Sequence, residues 1–175
     1  MRNLIVMMTI ALICFVLLEE VNADSDSFGE VYIKGGYKEV SKAVQEGEDH
    51  FKRKIGLPTQ LPPIPFTHSM GRFSDLEGNE NDHLEVFFIN KDSPQNHFLI
   101  RIRPIEYGLE IREEQIERKA ILEDGSQSIF TTTAFSGFNL LVLEKEGWQY
   151  TLLIDKRISD LVTQEILVSI ANSIT

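Results

Sequence analysis

Four places in this sequence carry residue types that could do chemistry. His83 and Glu85 form an H-x-E pair, and Glu46 and His50 stand four apart, so each pair could share a metal ion or a proton. A zinc deaminase reading of His83 and Glu85 needs a later cysteine pair, whereas the chain has one cysteine, Cys14. His83 therefore reads as a strand-edge residue. Glu46 and His50 offer two ligands on an acidic helix face, which reads as solvated surface, so neither a metal nor any other cofactor is expected. Asp24, Asp26 and Gly29 begin like a calcium loop, but Phe28 falls where an oxygen ligand belongs and Gly35 where a bidentate glutamate belongs. Ser136 in FSGF lacks the G-x-S-x-G elbow, and no glycine motif for phosphate or dinucleotide is present. Spacing alone leaves open a dispersed hydrolase site using His68, His83 or His97.

Two further sets suggest binding instead of catalysis. Arg101 and Arg103 share strand parity with Leu99 and oppose Phe98, Ile100 and Ile102, so two guanidinium groups are displayed on the face away from the apolar one. The plainer reading is cross-strand pairing with a carboxylate such as Glu85. Phe135 and Phe138 flank a turn in TTTAFSGF; exposed, they would make an apolar tip for a protein or peptidoglycan-associated partner, and buried, they would close the end of a sheet. Trp148 and Tyr150 have the parity of Leu152 behind a turn at Gly147, which reads as sheet packing under a helix and not as a stacking platform for a ligand.

The elements that must position these residues follow from the periodicity. Arg2 precedes an apolar segment from Leu4 to Leu18, too short to span a membrane comfortably, and VNA precedes Asp24; this is a signal-peptide layout with cleavage expected after Ala23. Retention as an uncleaved anchor is the alternative. Cleavage removes Cys14, so the secreted chain has no disulfide and no stable membrane span, and its stability rests on a core. With 27 acidic against 17 basic residues and a net charge of −10, nucleic acid is not an expected partner. Residues 24–36 are polar and glycine-rich and read as a flexible N-terminal segment before a single domain at 37–175.

Within that domain Tyr37, Val40, Val44, Phe51 and Ile55 make one helical stripe, which Pro58, Pro62, Pro63 and Pro65 end. The period then changes to two, giving strands in HLEVFFINK, HFLIRIRPI, QIERKAILE, SQSIFTTTA, NLLVLEK and WQYTLLID with short breaks between them. Such breaks favour an antiparallel meander, because parallel strands need long crossovers. A closing helix carries Ile166, Leu167, Ile170, Ala171 and Ile174 on one stripe, with Thr163 at its N-cap. The expected fold is α+β, an antiparallel meander sheet covered by an N-terminal and a C-terminal helix.

LEDGSQSIF, LVLEKEGWQYTLLID and EILVSIANSI together resemble the C-terminal half of an extracytoplasmic domain of unknown function found in Gram-positive bacteria, associated with lipoprotein-sorting-like and anti-sigma-factor proteins. The matching positions are Gly125, Gly147, Tyr150, Ile170, Ala171, Ser173 and Ile174, and the resemblance runs from about Ile121 to Ile174; Leu143 stands where that family has tryptophan. The whole design, including GYKEVSKAVQ and PPIPFTH, also resembles short secreted bacillus-like chains sometimes labelled carbon monoxide dehydrogenase. The cysteine clusters or large cofactor domain which that chemistry needs are not in the sequence. The resemblance implies a secreted or envelope-associated module whose partner is a cell-envelope or extracellular protein or peptide. The reading is a non-enzymatic binding module with Arg101, Arg103, Phe135 and Phe138 at its surface; the alternative is a secreted hydrolase with a dispersed histidine site.

Overall fold

The computed structural model describes residues 26–175. The expected leader, its expected cleavage point and Cys14 lie outside the described residues. The chain divides into two units at Gly36 and Tyr37. In the first, a nine-residue helix, α1 (Asp26–Lys34), occupies most of the segment read from its glycines and charges as a flexible lead-in. Glu30 and Lys34 pair one turn apart at 3.5 Å, the Phe28 and Tyr32 rings meet at 5.3 Å, and Gly36 stops the helix with a positive φ of 88°. Those i,i+4 pairs support a turn that the polar composition concealed.

The second unit contains helix α2 (Val40–Phe51), seven strands and helix α3 (Gln164–Asn172). The strands are β1 (His68–Ser74), β2 (His83–Ile89), β3 (His97–Pro104), β4 (Arg118–Ile121), β5 (Gln127–Thr131), β6 (Phe138–Lys145) and β7 (Trp148–Asp155). They form one antiparallel sheet in the order β1-β2-β3-β7-β6-β5-β4. Two meanders, β1 to β3 and β4 to β7, thus meet at the β3–β7 pairing, and the chain leaving β3 travels to the far edge before winding back.

Parity places Leu84, Val86, Phe98, Ile100, Ile102, Tyr150, Leu152, Ile154, Leu141 and Leu143 on one face, all buried. Both α2 and α3 pack there, through Ala43 from the first and Leu167, Ile170 and Ala171 from the second. Helix α2 comes down onto β1 at Gly71, where an added Cβ would stand 2.7 Å from the Ala43 Cβ. Helix α2 starts later and stops sooner than its apolar stripe: Tyr37 precedes it, Lys52 takes a left-handed φ of 55° at its end, and Ile55 reaches the core from the following turn. Glu48 holds that turn by accepting from the Ile55 amide at 3.0 Å and the Lys54 ammonium at 2.7 Å. Thr163 occupies the N-cap position of α3, although its side chain caps no backbone amide.

Trp148 and Tyr150 are core residues. Trp148, 1 % exposed, donates its indole N–H to the Lys54 carbonyl at 2.7 Å, meets Phe51 edge-on and lies under the Arg53 guanidinium. Tyr150 donates to the Gly56 carbonyl at 3.1 Å, and its burial, then the Glu146 charge, push its pKa up to about 12. Both rings therefore anchor the chain leaving α2 onto β7. The turn before them has positive φ at Glu146 and Gly147, the geometry of a two-residue hairpin loop whose twist matches the strands it joins.

Candidate functional site

The opposite face of the sheet carries no helix of the second unit and holds every candidate binding residue. Its central row runs Arg72, Glu85, Arg101, Thr151 and Val142 across β1, β2, β3, β7 and β6. Glu85 is 2 % exposed and is caged. Arg72 and Arg101 each place an Nη2 at 2.7 Å from it, the Tyr37 hydroxyl donates to it at 3.0 Å, and the His83 Nε2 lies 3.6 Å away. Burial resists ionisation of this carboxyl, but the bonds from His83, Arg101 and Arg72 outweigh it and hold the pKa well below the usual carboxylate range. Burial, followed by the Glu85 charge, raises the Tyr37 pKa to about 12.

Arg101 is only partly consumed by this cage. It engages Glu85 through Nε and Nη2, while its Nη1 has no acceptor among the described residues. Arg101 lines an open depression of about 400 Å³ shared with Leu99, Phe135, Ser136, Phe138 and Leu153. The depression sits on a second apolar cluster in which Leu140, Val142 and Leu153 are buried and Leu99, Phe135 and Phe138 are half-buried. Phe138 leans on the His97 ring at 5.2 Å.

Of the four residues singled out by sequence, three converge and one does not. Arg101, Phe135 and Phe138 line the same depression; Arg103, one step along the same parity, donates to the Tyr107 carbonyl at 3.3 Å. Burial, then the neighbouring Arg101 charge, lower the Arg103 pKa. The sequence does not mark Leu99, Leu153 or Ser136 as binding residues. The parity of Leu99 with Arg101 was a local signal for the first, but Leu153 joins through the β3–β7 pairing, which leaves no short-range trace. Beside the depression, a strap that follows β3 crosses the same face, carrying Leu109 and Ile111 onto the apolar cluster. The buried Gln149 side chain fastens it by accepting from the Leu109 amide and donating to the Leu109 carbonyl.

The histidines of the hydrolase alternative are spread over different partners. His68 Nδ1 meets the Thr67 hydroxyl at 2.8 Å, His83 Nδ1 the Asn81 carbonyl at 2.7 Å, and His97 Nδ1 the Pro94 carbonyl at 2.8 Å. Among the described residues, the contacts of His50, His83 and His97 join no hydroxyl to a carboxylate, the pairing a triad needs. None of the described helices is long and apolar enough to cross a membrane. No protein-family model, curated protein or solved structure matches this chain.

Proposed function

We propose that this chain is a non-enzymatic extracytoplasmic binding module that receives an apolar segment of a cell-envelope or extracellular protein on the face of its sheet opposite α2 and α3. The observation that carries the reading is the convergence of Arg101, Phe135 and Phe138 on one depression with Leu99 and Leu153. An apolar floor with two aromatic rings suits a hydrophobic side chain, and the spare guanidinium edge suits a carbonyl or carboxylate of the same peptide. An acidic chain repels nucleic acid and acidic surfaces, which leaves apolar contact as the main attraction. Export is supported by Arg2, the apolar run from Leu4 and the VNA tripeptide, and the extracytoplasmic setting by the resemblance over Ile121 to Ile174.

A photoreactive side chain at Ser136, exposed at the rim, tests the reading when set against one at Leu161, an exposed site 59 % accessible outside the depression. The expected result is a discrete adduct with an envelope or secreted protein from Ser136 alone, lost when Phe135→Ala is added. No adduct, or the same adduct from Leu161, overturns it.

A further inference from the structure

Away from the depression, the β1–β2 connection brings two carboxylates to the end of α2. His50 lies in the last turn of that helix; Asp75 follows β1 and Asp82 precedes β2. The imidazole is held by ring contacts with Phe51 at 4.8 Å and Phe73 at 5.0 Å. Its Nε2 stands 2.8 Å from Asp82 Oδ2, and its Nδ1 stands 3.9 Å from Asp75 Oδ2. The pairing weighed from sequence, His50 with Glu46, is not the one formed, because Lys38 takes Glu46 at 2.8 Å.

Asp82 is the unusual member. It is 1 % exposed, and its Oδ1 accepts from the Leu76 amide at 2.7 Å. Its buried Oδ2 has no hydrogen-bond partner among the described residues, since His50 Nε2, although close, is not aligned to donate. A buried carboxylate oxygen without a donor is costly, and this one lies beside an imidazole nitrogen and within reach of a second carboxylate, a donor set that suits a cation. One donor atom from each of His50, Asp75 and Asp82 can be chosen so that all three lie within 4.8 Å of one another. Donors about 2.0–2.2 Å from one tetrahedral ion stand roughly 3–3.5 Å apart, a spacing reached from here by turning the exposed Asp75.

We propose that His50, Asp75 and Asp82 bind one divalent transition-metal ion of the zinc class. One imidazole nitrogen with two carboxylates favours that class over calcium or magnesium, which take oxygen ligands alone. Asp82 is fixed by burial and by Leu76, His50 by the two phenylalanine rings, and Asp75 completes the set from the solvent side. The site joins the end of α2 to the β1–β2 connection, so the ion would tie the helix to the edge of the sheet.

The purified chain should bind Zn2+ with one-to-one stoichiometry in calorimetry, and its melting temperature should rise by several degrees with excess Zn2+ and stay unchanged with Ca2+. His50→Gln, which keeps a side chain of similar reach, should abolish the rise. Asp75→Asn, at an exposed position, should weaken Zn2+ by about tenfold or more. Co2+ should give visible absorption bands that His50→Gln removes. Failure of Zn2+ to bind overturns the proposal. So does binding that His50→Gln and Asp75→Asn leave unchanged, which would assign the metal to the other histidines.

Discussion

At the scale of single residues, Glu85 governs the sheet face opposite α2 and α3. It is the carboxylate against which Arg72 and Arg101 are both set, so it decides which edge of Arg101 remains for a ligand. Its lowered pKa also makes it a stability element with a definite sign. A carboxyl whose pKa falls on folding adds stability that is fully present above its unfolded value of about 4.3, and that stability is lost as pH drops through the folded value. Glu48, Asp124, Asp155 and Glu165 shift the same way, so acid sensitivity of the wild-type chain alone assigns nothing. The difference between two chains does. Glu85→Gln should cost about 3–5 kcal/mol at neutral pH, because two guanidinium groups then face each other without a counter-charge. Its urea midpoint should also fall less steeply than wild type as the pH is lowered below about 5. Parallel midpoint curves for the two chains would show that the cage does not set the carboxyl's ionisation.

At the scale of elements, the position of α2 depends on an absent side chain. Gly71 lets the helix come down on β1, and any Cβ there meets Ala43 and the Val40 backbone. Gly71→Val should therefore destabilise by about 1–3 kcal/mol through overpacking, read as a lower urea midpoint with an unchanged slope. Val at exposed Gly125 would also destabilise, but through its positive φ of 84°, with open space around it. Strands β3 and β1 show where the sequence is legible and where it is not. β3 alternates Phe98, Ile100 and Ile102 with Leu99, Arg101 and Arg103, and its buried and half-exposed positions follow that pattern residue by residue. HSMGRFS has no such alternation, since an edge strand needs few apolar side chains and spends one position on a glycine for the helix; β1 went unseen for that reason. β4 is shorter than the strand expected over QIERKAILE, because Gln115 turns back to bond Arg112 in a short helical turn. For the candidate site, residue types were legible and their meeting was not: Arg101, Phe135 and Leu153 come together only through the β3–β7 pairing, a non-local register that spacing does not encode.

At the scale of the whole second unit, the β3–β7 junction decides whether two meanders behave as one body. Phe98, Ile100 and Ile102 on β3 face Ile154, Leu152 and Tyr150 on β7, and all six are buried in the cluster that also receives α2 and α3. Neither meander can open without exposing the other's core, so residues 37–175 should unfold in a single cooperative transition. Trp148 makes this measurable. Its ring sits on β7 against Phe51 of α2 and donates to Lys54, so its fluorescence reports the contact between the end of α2 and the second meander, while far-UV circular dichroism reports the whole sheet. The two signals should give coincident urea transitions, in the full chain and in a chain beginning at Tyr37, because the core is contained within that unit. Trp148→Phe removes the probe and the indole bond yet keeps a ring, and far-UV circular dichroism should show one transition displaced to lower urea by a cost of about 1–3 kcal/mol. Fluorescence that changes at lower urea than circular dichroism would mean that α2 leaves before the sheet melts. Two steps in the circular dichroism of the shorter chain would mean that the meanders are separate folding units, and the β3–β7 pairing would then be a docking contact instead of a core.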